Sequence, residues 1–168
     1  MIISKSFKYQ LRLTPEQESL CNQTAGSCRY IWNRGLVLKK EAWEERKERI
    51  SRFDLDNLLT EWKKEHDWLT LSPSQSLQQV NKDLDQAFKN FFQGKGYPKF
   101  KKKGIHDSFR LPQRINLTRQ LSKKVGQVKL PKLGIVRFTK TREPEGTIKH
   151  VTISKTCGKW YIARLTVR

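Results

Sequence analysis

Residues 3–13 alternate apolar and polar side chains, the period of a β-strand with one buried face. Ile3, Phe7, Tyr9, Leu11 and Leu13 take one parity, and Ser4, Ser6, Lys8, Gln10 and Arg12 the other. Lys5 is a charge on the apolar parity; it either snorkels at the strand end or reaches a phosphate. From Thr14 the spacing changes to steps of three and four. Thr14 is an N-cap, Pro15 suits the first helical position, and Gln17 completes a capping box. Leu20, Cys21, Ala25, Cys28, Trp32 and Leu36 form the stripe of this helix. Gly26 is a point where it can divide into two helices around a tight bend, superficially a helix-turn-helix. Arg29, Asn33 and Arg34 lie off the stripe, toward solvent or a nucleic-acid groove.

Residues 39–50 alternate in charge and read as the exposed end of that helix. Ser51-Arg52-Phe53-Asp54 opens another, with Leu55, Leu58, Leu59 and Trp62 as its buried face. Ser72-Pro73 begins the most regular helix, which runs to Phe92. Leu77, Val80, Leu84, Ala87, Phe88 and Phe91 are expected to face inward, and Gln75, Gln78, Gln79 and Lys82 outward. Short strands follow: Ser108–Pro112, Val125–Leu130, Ile135–Thr139, Thr147–Ser154 and Lys159–Val167. The last two form a hairpin across Lys155-Thr156-Cys157-Gly158. The first strand finds partners only after residue 108. The pattern therefore predicts an α+β fold, a β-barrel-like domain formed by both chain ends with an inserted helical bundle.

Charge adds what periodicity does not show. Residues 1–93 carry 15 Lys and Arg against 13 Asp and Glu, whereas residues 94–168 carry 20 against 3. The change occurs at Gly94-Lys95-Gly96-Tyr97-Pro98-Lys99-Phe100-Lys101-Lys102-Lys103, where two rings are interleaved with cations. Ammonium groups neutralise phosphates and aromatic faces stack on bases, so this spacing suits nucleic acid. A Gln-rich helical face is compatible with reading adenine edges. Cys21 and Cys28 lie too far apart along a helix for a disulfide and read as small core side chains, while Cys157 sits in the hairpin turn. The three histidines have no metal-ligand spacing. No Ser/His/Asp set, Cys/His set, phosphate loop or HExxH occurs, and the chain by itself does not read as an enzyme. No apolar run approaches the roughly 20 residues of a membrane span, and the start has no secretory core; the expected location is the cytoplasm, with no membrane partner.

Several ordered motifs resemble one family. Met1-Ile2-Ile3-Ser4-Lys5-Ser6-Phe7-Lys8-Tyr9, Thr14-Pro15-Glu16-Gln17 and Cys28-Arg29-Tyr30-Ile31-Trp32-Asn33 are similar to the start of OrfB/TnpB transposon-encoded proteins. Ala87-Phe88-Lys89-Asn90-Phe91-Phe92, Gly96–Lys103 and Leu130-Pro131-Lys132-Leu133-Gly134 extend the resemblance along the chain. It implies an RNA-guided DNA nuclease family related to type V CRISPR effectors, with a wedge barrel and an inserted recognition lobe. The implied domains are 1–13, the first wedge strand; 14–93, the helical lobe; and 94–168, the basic segment and remaining wedge strands.

Family members continue into a RuvC-like nuclease with Asp/Glu/Asp ligands and a zinc ribbon. No residue here is available to take over those roles, so magnesium belongs to that other part and this chain is expected to carry no cofactor. The implied partners are guide RNA, target DNA and a separately encoded RuvC-like nuclease. By the resemblance, Phe53, Asn57, Ser74, Gln75, Gln78, Phe109 and Arg110 read a short target-adjacent DNA motif. Lys5, Lys8, Arg29, Asn33, Lys95, Tyr97, Lys99, Phe100, Lys101, Lys102 and Lys103 hold RNA. Arg52 stands where relatives are expected to carry an aromatic. Pairing would then read the long sequence, while protein reads shape and a short motif. Two competing readings are a self-sufficient transposase or regulator domain using residues 15–45 as a helix-turn-helix, and a structural RNA-binding protein.

Overall fold

The computed structural model describes residues 4–113, 115, 117–141 and 147–167, so Met1, Ile2 and Ile3 of the opening motif lie outside it. β1 (Ser4–Arg12) buries Phe7, Tyr9 and Leu11 and exposes the alternate positions. Helix α1 (Pro15–Arg46) starts where Thr14 and Gln17 cap each other. Thr14 N–H donates to Gln17 Oε1 at 3.1 Å, and Gln17 N–H to Thr14 Oγ1 at 3.2 Å. Gln17 Nε2 also donates to the carbonyls of Leu133 and Ile135, at 3.3 and 2.8 Å. One side chain thus caps the helix and ties its start to the strand region.

The bend expected at Gly26 does not form: α1 is continuous from Pro15 to Arg46. Glycine weakens a helix by roughly 1 kcal/mol relative to alanine. Here the buried positions Cys21, Ala25, Cys28, Ile31, Trp32 and Leu36 keep helical phase across it, and burial of that stripe outweighs the local cost. Burial also pushes the Cys21 and Cys28 thiols up to about 12, so both remain protonated, inert core groups.

α2 (Arg52–Glu65) begins with the Ser51–Asp54 capping box and buries Leu55, Leu59 and Trp62. A short 3-10 turn, Asp67–Leu71, buries Leu69 before α3 (Ser74–Phe92). α3 buries Leu77, Val80 and Leu84, and Asn81 Nδ2 donates to Asp56 Oδ1 of α2 at 2.9 Å. Its apolar face does not stay covered: Phe91 is 37% and Phe92 58% exposed. Among the described residues no helix is long and apolar enough to cross a membrane.

The remaining strands are β2 (Ser108–Leu111), β3 (Leu117–Gln120), β4 (Val125–Leu130), β5 (Gly134–Thr139), β6 (Thr147–Thr156) and β7 (Lys159–Val167). They form one curled antiparallel sheet in the order β2-β6-β7-β1-β5-β4-β3. β1 lies inside the sheet, with Gln10 opposite both Thr139 and Tyr161. Both chain ends therefore build the barrel-like sheet, and the helices enter between β1 and β2, as the pattern predicted. β3 was not foreseen, because LTRQ is too short and polar to show alternation. The β6–β7 hairpin is tighter than expected. Lys155 pairs with Trp160 and Thr156 with Lys159, leaving Cys157 and Gly158 at φ 51° and 76° as a two-residue turn.

Two compact units result: Met1–Ala25 with His106–Arg168, and Gly26–Ile105. The start of α1 thus belongs with the strands, and the basic segment up to Ile105 with the helices, unlike the boundaries expected at residues 13 and 93.

Gly126 of β4 faces the buried ring of Phe138, where a Cβ would lie 2.9 Å from each ε carbon. The ring is 5.1 Å from that of Tyr9 and has little room to move. Gly126→Ala is expected to destabilise the fold by about 1–3 kcal/mol, the usual scale of overpacking. Urea unfolding measures it, and an unchanged midpoint would show that the ring yields.

Candidate nucleic-acid interface

The seven strands contain eleven Lys and Arg and no Asp or Glu. Pairing register shows how the outer face is assembled. Lys8 lies opposite Ala163, Ala163 opposite Thr152, and Thr152 opposite Arg110. Lys8 and Arg110 therefore share a row, three strand spacings of about 4.8 Å apart. The neighbouring row is Ser108, Ser154, Tyr161, Gln10 and Thr139. Lys8 Nζ stands 4.9 Å from the centre of the Tyr161 ring, and Arg12 Nε donates to Thr139 Oγ1 at 2.9 Å. Lys8, Gln10, Thr139, Thr156 and Tyr161 line a shallow hollow. A face of hydroxyls, amides, cations and one ring, free of carboxylates among its described residues, attracts a polyanion without internal competition.

Two expected contacts on this unit change. Phe109 is 3% exposed, its ring 6.2 Å from that of Trp160, so it belongs to the core and cannot meet a base. Its neighbour Arg110 is exposed on the outer face. Lys5 is exposed but has the parity of Phe7, not of Lys8, and so lies off that face. Tyr161 was missed. Its signal was an aromatic on the polar parity of β7, beside Lys159 and Ala163.

In the helical unit, the basic segment is fastened rather than loose. Trp32 Nε1 donates to the Lys99 carbonyl at 2.8 Å. Asn33 Nδ2 donates to the Lys101 carbonyl at 3.0 Å, while Lys101 N–H donates to Asn33 Oδ1 at 2.8 Å. The Lys101 ammonium lies 4.3 Å from the Trp32 ring centre. Tyr97 meets Phe88 and Phe91 edge-on, at 5.6 and 5.0 Å. With the backbone held at 99 and 101, Lys95, Lys99, Lys101, Lys102 and Lys103 are exposed, as is 54% of Phe100. The segment is an ordered array of charge.

Asn33 therefore has a positioning role: its amide is engaged by the Lys101 backbone on both sides. Arg34, expected toward solvent or a groove, is structural too. It donates to Tyr30 Oη at 2.7 Å and to both Glu65 oxygens at 2.7 and 3.3 Å. That pairing holds the Glu65 carboxyl below its ordinary range. Arg29 is half-buried one turn before Asn33.

The residues expected on α2 and α3 to read a DNA motif are exposed but form two groups. Phe53, 71% exposed, and Asn57 are one turn apart near the start of α2. Ser74, Gln75 and Gln78 are exposed in the first turns of α3. Lys63 Nζ donates to Ser74 Oγ at 2.9 Å, while Asp56 is bonded to Asn81. The helices are therefore antiparallel, which puts Asn57 nearly level with Gln78 and Phe53 roughly 14 Å along the axis from Gln75. Among the described residues no three His, Cys, Asp or Glu side chains converge to hold a metal ion.

Residues 1–48 match the OrfB IS605 helix-turn-helix domain; their described part comprises β1 and the continuous helix α1. Over 162 residues the chain is 43% identical to the putative RNA-guided DNA endonuclease InsQ of Escherichia coli (strain K12), covering 95% of this chain and 39% of InsQ. The chain belongs to the OrfB/TnpB family. A putative RNA-guided DNA endonuclease of Streptomyces pristinaespiralis is 35% identical over 102 residues, covering 59% of this OrfB/TnpB chain and 25% of that protein. Virulence protein VsdF of Salmonella dublin is 33% identical over 102 residues, covering 54% of this chain and 86% of VsdF. The family member described here thus spans less than half the length of the two endonuclease relatives.

Proposed function

We propose that this OrfB/TnpB chain is a nucleic-acid-binding module that holds guide RNA and reads a short target-adjacent DNA motif. The observation that carries this reading is the set of strands with eleven cations and no carboxylate. The names of two relatives, putative RNA-guided DNA endonucleases, support reading the polyanions as guide RNA and target DNA. RNA lies along the outer sheet face, at Lys8 and Tyr161, and along Lys95–Lys103. The DNA motif meets the exposed residues of α2 and α3. Their axial spread of roughly 14 Å corresponds to about four base pairs at 3.4 Å each, the scale of a short motif. Cleavage belongs to a RuvC-like nuclease partner, and the metal chemistry with it. A nucleic-acid role is in keeping with a cytoplasmic location.

Gln75 and Gln78 lie side by side on exposed turns of α3, where amides can reach adjacent base edges. Replacing both with Ala is expected to relax motif preference by about 1–3 kcal/mol for each base edge no longer read, while phosphate attraction persists. Selection from randomised duplexes, with guide RNA and nuclease supplied, measures this. Identical motifs for the parent and the double variant would remove α3 from recognition.

A further inference from the structure

A cavity of about 510 Å³ in the helical unit meets the surfaces described above only at Tyr97 and the rings it packs on. It lies between the last turns of α1, the residues before α2 and the end of α3. Its aromatic walls are open to solvent: Trp43 is 41% exposed, Phe92 58%, Tyr97 42% and Phe91 37%. So much bare ring surface in one place marks a binding site more often than chance exposure does.

The cations select the occupant. The Arg49 guanidinium stands 5.0 Å from the Phe92 ring and 5.6 Å from Trp43, and Lys47 Nζ is 5.3 Å from Trp43. Lys40 and Lys89 also line the hollow, as do Glu44, Glu48 and Asp85, and Lys89 Nζ lies 3.2 Å from Asp85 Oδ2. At its buried side the Lys39 ammonium donates to the Ile50 carbonyl at 2.6 Å and lies 3.8 Å from Asp85. An apolar peptide would bury the Arg49 guanidinium, which meets the Phe92 and Trp43 rings, without a counter-charge. A flat ring carried on an anionic backbone satisfies both rings and cations. Tyr97 belongs at once to the wall and to the basic segment, so a strand following Lys99–Lys103 passes the opening.

We propose that this hollow receives one unpaired base of a single-stranded RNA segment, against Trp43 and Phe92, with its phosphates at Arg49 and Lys40. The assignment rests on the RNA-binding reading given above. The test compares the full chain with Trp43→Ala and Phe92→Ala, using a single-stranded RNA of about twelve nucleotides and a blunt duplex of that length. Each variant is expected to lose about tenfold in affinity for the single strand and to stay within about twofold on the duplex. Trp43→Phe keeps a ring and is expected to restore single-strand binding, which separates loss of stacking from loss of fold. Unchanged single-strand affinity in both Ala variants would overturn the proposal and leave the hollow to an apolar protein segment. Equal losses on both probes would overturn it as well. If the parent chain binds neither probe, the RNA-binding reading itself fails.

Discussion

Trp32→Ala is expected to lower stability by about 3–5 kcal/mol, the scale for truncating a buried tryptophan, and to weaken RNA binding without removing a charge. Trp32 is 8% exposed, so most of its loss is packing. Its indole N–H also holds the Lys99 carbonyl, and its ring carries the Lys101 ammonium. Without it the basic segment keeps every lysine but loses its fixed spacing. The entropy of ordering that segment is then charged to binding. Trp32→Phe separates these effects, since it retains a ring and loses the donor. It is expected to fold, to cost about 1 kcal/mol for the missing hydrogen bond, and to admit protease at Lys99–Lys103. Affinity equal to the parent for folded Trp32→Ala would show that the segment's order does not matter.

Replacing Lys101, Lys102 and Lys103 together with Ala is expected to reduce the salt dependence of RNA binding more than any single substitution on either surface. Each phosphate left without its cation lowers the slope of log K against log salt by roughly 0.7–0.9, so three remove about 2–3. Lys102 and Lys103 are exposed, and their removal leaves the core intact. Lys101 also gives up its place over Trp32, an interaction of about 0.5–2 kcal/mol. Binding titrations across a salt series, with unfolding measured alongside, decide the matter. An unchanged slope in a folded variant would exclude this segment from the binding surface.

Much of the fold was legible because local rules and tertiary packing agree. β1 alternates cleanly, and the Thr14–Gln17 and Ser51–Asp54 boxes mark their helix starts. Gly26 misled because propensity is a local preference, whereas the stripe on either side of it is buried. The candidate surfaces were less readable. The basic run was visible as composition, but Trp32 looked only like core and Asn33 like solvent or an RNA contact. Their bonds to Lys99 and Lys101 join residues 67 and 68 positions apart, a pairing no local pattern reports. Phe109 looked like a reader beside an arginine, yet strand alternation sends its ring inward and Arg110 outward. The open aromatic hollow escaped notice because Phe91 continues the apolar phase of α3 beyond the point where anything covers it.

The RNA bound in the cell tests the central claim most directly. The chain is crosslinked in its host, purified under denaturing conditions, and the attached RNA is sequenced. The account predicts strong enrichment of one guide-like RNA species, with crosslinks at Tyr161 and within Lys95–Lys103. Crosslinked reads that mirror total cellular RNA, or crosslinks absent from both surfaces, would contradict it.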